Sequence, residues 1–341
     1  MKNKKLEILI PQYKETESII KPLLDSIEIQ QNVDLKNDVG VIIVNDGTNV
    51  HLSKEFLSKY TYSINYYLND HKGVSATRNA CLDHSTADYV MFCDADDMFY
   101  SVCGLWVIFK EFDNKVEGKE YGFDSLITLF IEESRIPETN EVVYVNHEMD
   151  TTFVHGKVHR RQYLINNNIK WNNDLTIHED SFFNILCANL SANVKYCQTP
   201  LYLWKWRDSS VCRHDPKYIL KTYRNMIDSN DALIEEFLKR DIKDKALFYV
   251  AFMIFDAYYT MNKPEWINQE NKEYRDLTEI RFSEYYKKHK SHWQEIPDTD
   301  KIQISQSVRG RSVMEGMQME EMTVNEWLKH IEAFSDKKKD F

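Results

Sequence analysis

The sequence predicts an α/β protein: a mostly parallel open sheet flanked by helices, with an additional α-helical C-terminal domain. Three observations carry that expectation. Short apolar runs alternate with amphipathic stretches through the first hundred residues, the runs end on polar residues, and beyond Lys217 glycine almost disappears while helical patterns dominate. Strands and helices alternating at this density build parallel βαβ units, whose inner strands are buried on both faces and read as continuous apolar runs.

Leu6–Ile10 is an apolar run closed by Pro11, and Val39–Val44 is a second closed by Asn45-Asp46-Gly47, so both read as buried strands. Between them, Glu17–Gln30 places Ile19, Ile20, Leu23, Leu24 and Ile27 on one helical face. The pattern repeats as a helix over His51–Tyr60, a strand over Ser63–Leu68, a helix over Ser75–His84 and a strand over Tyr89–Cys93 that runs into Asp94-Ala95-Asp96-Asp97. Ser125–Ile131 and Val142–Val145 read as strands around a Pro137-Glu138-Thr139-Asn140 turn. Glu179-Asp180 open a helix over Ser181–Leu190, and Pro200–Trp206 reads as a strand. Further helices are expected over Tyr218–Arg240, Lys243–Met261, Glu270–Lys290 and Val324–Phe334, with Lys337-Lys338-Lys339 as a solvated tail. The composition shift near Asp215-Pro216 divides the chain into domains 1–215 and 216–341, the second packing on the first or making a homo-oligomer.

Composition narrows the function classes. With 43 Lys and Arg against 54 Asp and Glu, the net charge of −11 argues against a broad nucleic-acid surface and leaves room only for a local basic groove. The 6 cysteines form no C-x-x-C pair and have no zinc-finger spacing, which fits buried, reduced thiols in a cytoplasmic protein. The basic start and its apolar run stop at Pro11 without a small-residue cleavage site, unlike a signal peptide. Ala246–Met261, the longest apolar run, contains Asp256 and falls short of the roughly 20 residues of a membrane span. It reads as a buried helix, with peripheral membrane contact as the alternative.

In open α/β sheets ligands sit outside the carboxyl ends of the strands. Here those ends carry Pro11-Gln12-Tyr13, Asn45-Asp46-Gly47 and Asp94 to Asp97. The acidic turn is the sharpest local feature, because neighbouring carboxylates repel unless a cation or hydrogen-bond donors compensate them. Oxygen ligands on a short turn suit Mg²⁺ or Mn²⁺. The plain alternative is an acidic surface turn with Asp97 as a helix cap. For Glu179-Asp180 the plain alternative is acidic residues meeting a helix dipole.

Four ordered blocks then resemble the family 2 glycosyltransferases of the GT-A fold. They are Leu6 to Tyr13, Val41-Ile42-Ile43-Val44-Asn45-Asp46-Gly47-Thr48, Asn69-x-x-Lys72-Gly73-Val74-Ser75-Ala76-Thr77-Arg78-Asn79, and Tyr89 to Asp97. The likeness continues to Gly156-Lys157-Val158-His159-Arg160-Arg161 and His178-Glu179-Asp180-Ser181, covering roughly residues 5 to 215. It implies a GT-A type sheet and an inverting transfer from a nucleotide-sugar donor, UDP-linked, to an acceptor hydroxyl on a surface glycan or polysaccharide. Carried onto this chain, Pro11 to Tyr13 and Asp46 would hold the base, Arg78 would lie near the nucleotide and Asp94 with Ala95 near the ribose. Asp96 would bind Mn²⁺ or Mg²⁺, and Asp180 would be the catalytic base with Glu179 beside it. The chemistry asks for these types independently: a departing diphosphate gathers negative charge that a metal offsets, and an attacking hydroxyl must lose a proton.

Arg207, Ser209, Ser210, Arg213 and His214 follow the last strand and read as a flap reaching the diphosphate, with His214 as a further metal ligand. Trp171 is the expected acceptor contact. Asn45, Thr48 and Asn49 depart from the family pattern, where Asp, Ser and Asp are usual, and the departure bears on nucleotide preference. Three other readings compete: a modified DNA base as acceptor, a non-catalytic GT-A-like binding module, and nucleotidyl transfer. The last calls for a Gly-rich phosphate loop after the first strand, which Pro11-Gln12-Tyr13-Lys14-Glu15 is not.

Overall fold

A computed structural model describes residues 3–136, 138–207, 217–314 and 323–337. The chain divides into two compact units, Met1–Ser210 and Val211–Phe341.

The first unit is one mixed sheet with helices. Strand β1 (Leu6–Gln12) lies between β2 (Val39–Asp46) and β4 (Tyr89–Phe92), and β3 (Ser63–Asn69) adds to β2, all four parallel. Helices α1 (Glu17–Glu28), α2 (Leu35–Asp38), α3 (Lys54–Leu57) and α4 (Val74–His84) make the crossovers. The apolar runs of β2 and β4 are buried at every position, whereas the edge strand β3 is largely open. Strand order is β3-β2-β1-β4, so the chain leaves β1 toward one side and returns through β4 on the other. That reversal opens a crevice at the carboxyl ends of β1 and β4, where such sheets bind ligands.

Beyond β4 the sheet becomes mixed. Strand β5 (Met98–Phe99) and helix α5 (Gly104–Asp113) precede β6 (Ser125–Arg135), which pairs with β7 (Val142–His147) as a hairpin. Strand β8 (Lys157–Arg160) runs antiparallel between β4 and β6, followed by α6 (Arg161–Asn166), α7 (Glu179–Leu190) and β9 (Val194–Trp204), which is parallel to β6. The core packs Ile8, Ile10, Ile20, Leu24, Val41, Ile43, Met91, Leu105 and Phe130, all fully buried.

The expected helix over His51–Tyr60 shrinks to four residues. Glu17 accepts from the Ser53 N–H (2.8 Å) and hydroxyl (2.6 Å), while Ser53 caps Phe56 N (3.1 Å), so the chain before Lys54 is held in a turn. Cys81, Cys93, Cys103, Cys187 and Cys197 are free thiols, and Cys212 lies outside the described residues.

The second unit is helical: α8 (Tyr218–Lys239), α9 (Lys243–Met261), α10 (Pro264–Ile267), α11 (Lys272–Glu295), α12 (Asp298–Met314) and α13 (Val324–Lys337). Helix α9 packs on α8, α11 and α12, and its residues from Met253 to Met261 are all buried. Its one internal acid, Asp256, accepts from Tyr223 Oη at 2.6 Å, which satisfies a polar group that burial would otherwise penalise. Among the described residues no helix is long and apolar enough to cross a membrane.

Candidate active site

A cavity of about 340 Å³ opens in the crevice at the ends of β1, β2 and β4. Pro11, Tyr13, Asp46, Arg78, Asp94, Ala95, Asp96 and Arg207 all line it, joined by Glu15, His71, Gly73 and Thr77. The eight named first are the donor-side residues expected from the sequence.

Asp46, buried at the end of β2, organises one wall. Its carboxylate accepts from the backbone N–H groups of Lys72 (2.8 Å) and Gly73 (3.1 Å) and lies 2.8 Å from His71 Nδ1. These bonds anchor the start of α4, and the His71 ring stacks on Tyr13 with centroids 5.0 Å apart at the cavity edge. Gly47 makes the close approach possible: its φ is +69°, and a Cβ there would lie 2.2 Å from His71 N. Gly47→Ala is therefore expected to force the 71–73 turn away from Asp46. It should cost at least ~2 kcal/mol of stability in urea titration and weaken nucleotide binding about tenfold by calorimetry.

Asn45 does not line the cavity. It is buried, donating from Nδ2 to the Val50 carbonyl (2.8 Å) and to Gln12 Oε1 (3.2 Å), which also accepts from Tyr66 Oη (2.9 Å). A carboxylate there could not donate either bond, so Asn45 has a structural part in holding Gln12 and the Val50 backbone in place.

The acidic turn holds three carboxylates in three environments. Asp94 Oδ1 accepts from Arg78 Nη2 at 2.9 Å, and Asp96 Oδ2 accepts from Arg207 Nη1 at 2.6 Å, with Glu15 3.8 Å from the same guanidinium. Asp97 is buried, accepting from Tyr202 Oη (2.7 Å) and the Lys205 N–H (3.0 Å), and lies 3.6 Å from His155 Nδ1. Burial, with Asp96 and Asp94 close by, holds its pKa well above the usual carboxylate range. Asp94, Asp97 and His155 offer ligand atoms all within 4.8 Å of one another. Sequence reasoning missed His155, and Asp96 stands outside that cluster. His214, with Ser209, Ser210 and Arg213, lies outside the described residues.

The second carboxylate pair opens α7. His178, its N-cap, is left-handed at φ 63°, a rare conformation for a side-chain-bearing residue that turns the chain sharply into Glu179. Glu179 Oε1 accepts from Arg78 Nη1 at 2.9 Å, and Asp180 Oδ1 accepts from the Ser181 N–H at 2.8 Å. Burial, then the neighbouring Glu179, push the pKa of Asp180 up to about 7 against the pull of Arg78. Lys157 on β8 is almost wholly buried, and desolvation lowers its pKa despite Asp150 at 3.4 Å and the charge of Asp180.

Trp171 is not an acceptor platform. It is 2% exposed, stacked on Phe183 at 4.1 Å, edge-on to Phe92 and covered by the Arg78 guanidinium 4.4 Å from its ring. Its backbone is tied to Asn79 by two bonds of 2.9 Å. The ring belongs to the core that supports Arg78.

Comparison with known proteins agrees with this picture. Residues 7–103 match the family model "Glycosyl transferase family 2". EpsH of Bacillus subtilis (strain 168), named as a glycosyltransferase, is 24% identical over 251 residues, 69% of this chain and 71% of that protein. Among solved structures, S. aureus TarS 1–349 superposes with a TM-score of 0.62 at 14% identity, covering 93% of both chains. The same fragment solved in complex with UDP-GlcNAc gives 0.57 at 16% identity, again covering 93% of each.

Proposed function

We propose that the chain, whose residues 7–103 match the family 2 glycosyltransferase model and whose fold is that of the TarS fragment, moves a sugar from a UDP-linked donor to a hydroxyl of a glycan, with inversion and a divalent metal. The observation that carries this reading is one cavity bearing the acidic turn and Arg78, whose guanidinium reaches from Asp94 to Glu179 beside Asp180. The choice of UDP is supported by the TarS fragment having been solved with UDP and with UDP-GlcNAc.

In the transfer, the bond from the anomeric carbon to the diphosphate oxygen breaks with its electron pair on the phosphate. The acceptor oxygen bonds to that carbon from the opposite face, and its proton passes to the Asp180 carboxylate. Arg207, now on Asp96, is suited to pair with the phosphate oxygens as their charge grows. Asp96 would hold the metal, and Asp94, Asp97 and His155 offer two carboxylates and one imidazole with ligand atoms within 4.8 Å of one another, the carboxylates being the donors that suit Mn²⁺ or Mg²⁺. Such an ion, when bound, supplies Lewis-acid charge at the leaving diphosphate.

The test is a panel of nucleotide-sugars with Mn²⁺ or Mg²⁺, scoring released nucleoside diphosphate. Release of UDP from one UDP-sugar is the expected result, and turnover of only another nucleotide's sugar, or of none, overturns the reading. Asp180 also sets a pH dependence. Its acid form cannot accept a proton, so the rate should rise with pH and level off above about 7, falling nearly tenfold per unit well below that point. A kcat profile between pH 5.5 and 8.5 reads this limb directly.

A further inference from the structure

Arg78 is the most enclosed cation at the cavity, its side chain 5% exposed, and it stands on α4 between the two carboxylate groups. One terminal nitrogen bonds Asp94, which follows β4, and the other bonds Glu179 in the first turn of α7, 101 residues away in sequence, each at 2.9 Å. Its guanidinium is fixed as well as bonded. Trp171 covers one face at 4.4 Å and is itself stacked on Phe183 of α7, while Asn79, the next residue on α4, holds the Trp171 backbone. The start of α4 is pinned in turn by Asp46 through the 72–73 backbone.

We infer that Arg78 is a positioning residue that acts through its two carboxylate partners, holding the Asp180 end of α7 in fixed relation to the donor turn. The inference rests on the transferase reading above and adds to it a residue that touches neither the acceptor nor the reacting atoms. A buried guanidinium shared between two carboxylates is a strong, oriented bridge, and removing it leaves acids facing one another with less compensation.

The charges around Asp180 give this a signature beyond structural support. Glu179 on its own helix and Asp94 after β4 hold its proton more tightly, Arg78 on α4 works against them, and Lys157 on β8 is a further cation that feels its charge. Arg78→Gln keeps the length of the side chain without the charge. The acid limb of kcat should then move to higher pH by about one unit or more, which at pH 6 is a further loss of about tenfold. Arg78→Lys keeps the charge but cannot bridge two carboxylates in one plane, so kcat should fall with the limb close to its wild-type position. Glu179→Gln removes a like charge and should move the limb the opposite way, to lower pH.

An unmoved limb in Arg78→Gln overturns the inference. A rise in donor KM with kcat and its limb unchanged overturns it too, since that pattern belongs to direct donor contact. Should Arg78→Gln fail to fold, as judged by circular dichroism, the opposite shift in Glu179→Gln and the kcat loss in Arg78→Lys still decide the matter. If the wild-type chain turns over no nucleotide-sugar, the transferase reading fails by itself. Carboxyl ¹³C NMR titration of Asp180 in wild type and Arg78→Gln then tests the bridge without turnover, with an upward shift of the midpoint expected and an unchanged midpoint overturning it.

Discussion

Asp180→Asn is expected to lower the transfer rate by about 10²–10⁴-fold, the range over which positioned general bases contribute. The substitution is close to isosteric. Asparagine keeps an oxygen for the Ser181 N–H that Asp180 Oδ1 accepts at 2.8 Å, so the first turn of α7 should stay formed. What disappears is the capacity to take a proton, and with it the acid limb near pH 7. Nucleotide binding, measured by calorimetry with UDP, should be unchanged because Asp180 does not line the cavity that Asp46 and Asp94 share. A variant that retained its rate within tenfold would place the base elsewhere on the acceptor side.

Asp96→Ala is the second large effect, a loss of about 10²–10³-fold in donor turnover, comparable to removing one electrostatic stabiliser of a developing anion. Its carboxylate accepts a hydrogen bond from Arg207, and the pair lies on the cavity wall. On the proposed reading alanine removes an oxygen that would hold the metal, and it also takes away one of the acids that Arg207 faces, Glu15 being another. Chelation separates the two consequences. EDTA should depress the wild-type rate to roughly that of the variant and change the variant little further, because two perturbations of one interaction are not additive. Full additivity would show that Asp96 acts through Arg207 alone.

The parallel half of the sheet was legible because burial on both faces writes itself into composition. Val39–Val44 and Tyr89–Cys93 have no polar position that a half-exposed strand would show, and the carboxylates at their ends followed from where such sheets bind ligands. Beyond Cys93 the reading thinned. Strand β8 is only four residues and buries Lys157 and His159, and β5 is shorter still. Helix α5 begins at Gly104, and its N-cap, Cys103, makes no side-chain cap, so no start signal marks it.

Within the site, single residues were legible and their partners were not. Arg78 finds Glu179 across 101 residues, and Asn45 owes its place to Gln12, 33 residues earlier. Trp171 sits between Lys170 and Asn172, neighbours that suggest exposure, while Phe92, Phe183 and Arg78 from distant segments bury it. His155 became visible only when the sheet set it beside Asp97.

The cavity has a lineage as well as a geometry. Its lining residues, Arg207 apart, fall between Pro11 and Asp96, inside the stretch that matches the family model by sequence. Helix α7, which presents Glu179 and Asp180, falls outside that stretch. No residue of α7 lines the cavity, so a substitution there can reshape the Asp180 side of the crevice while every side chain of the cavity wall stays as it is.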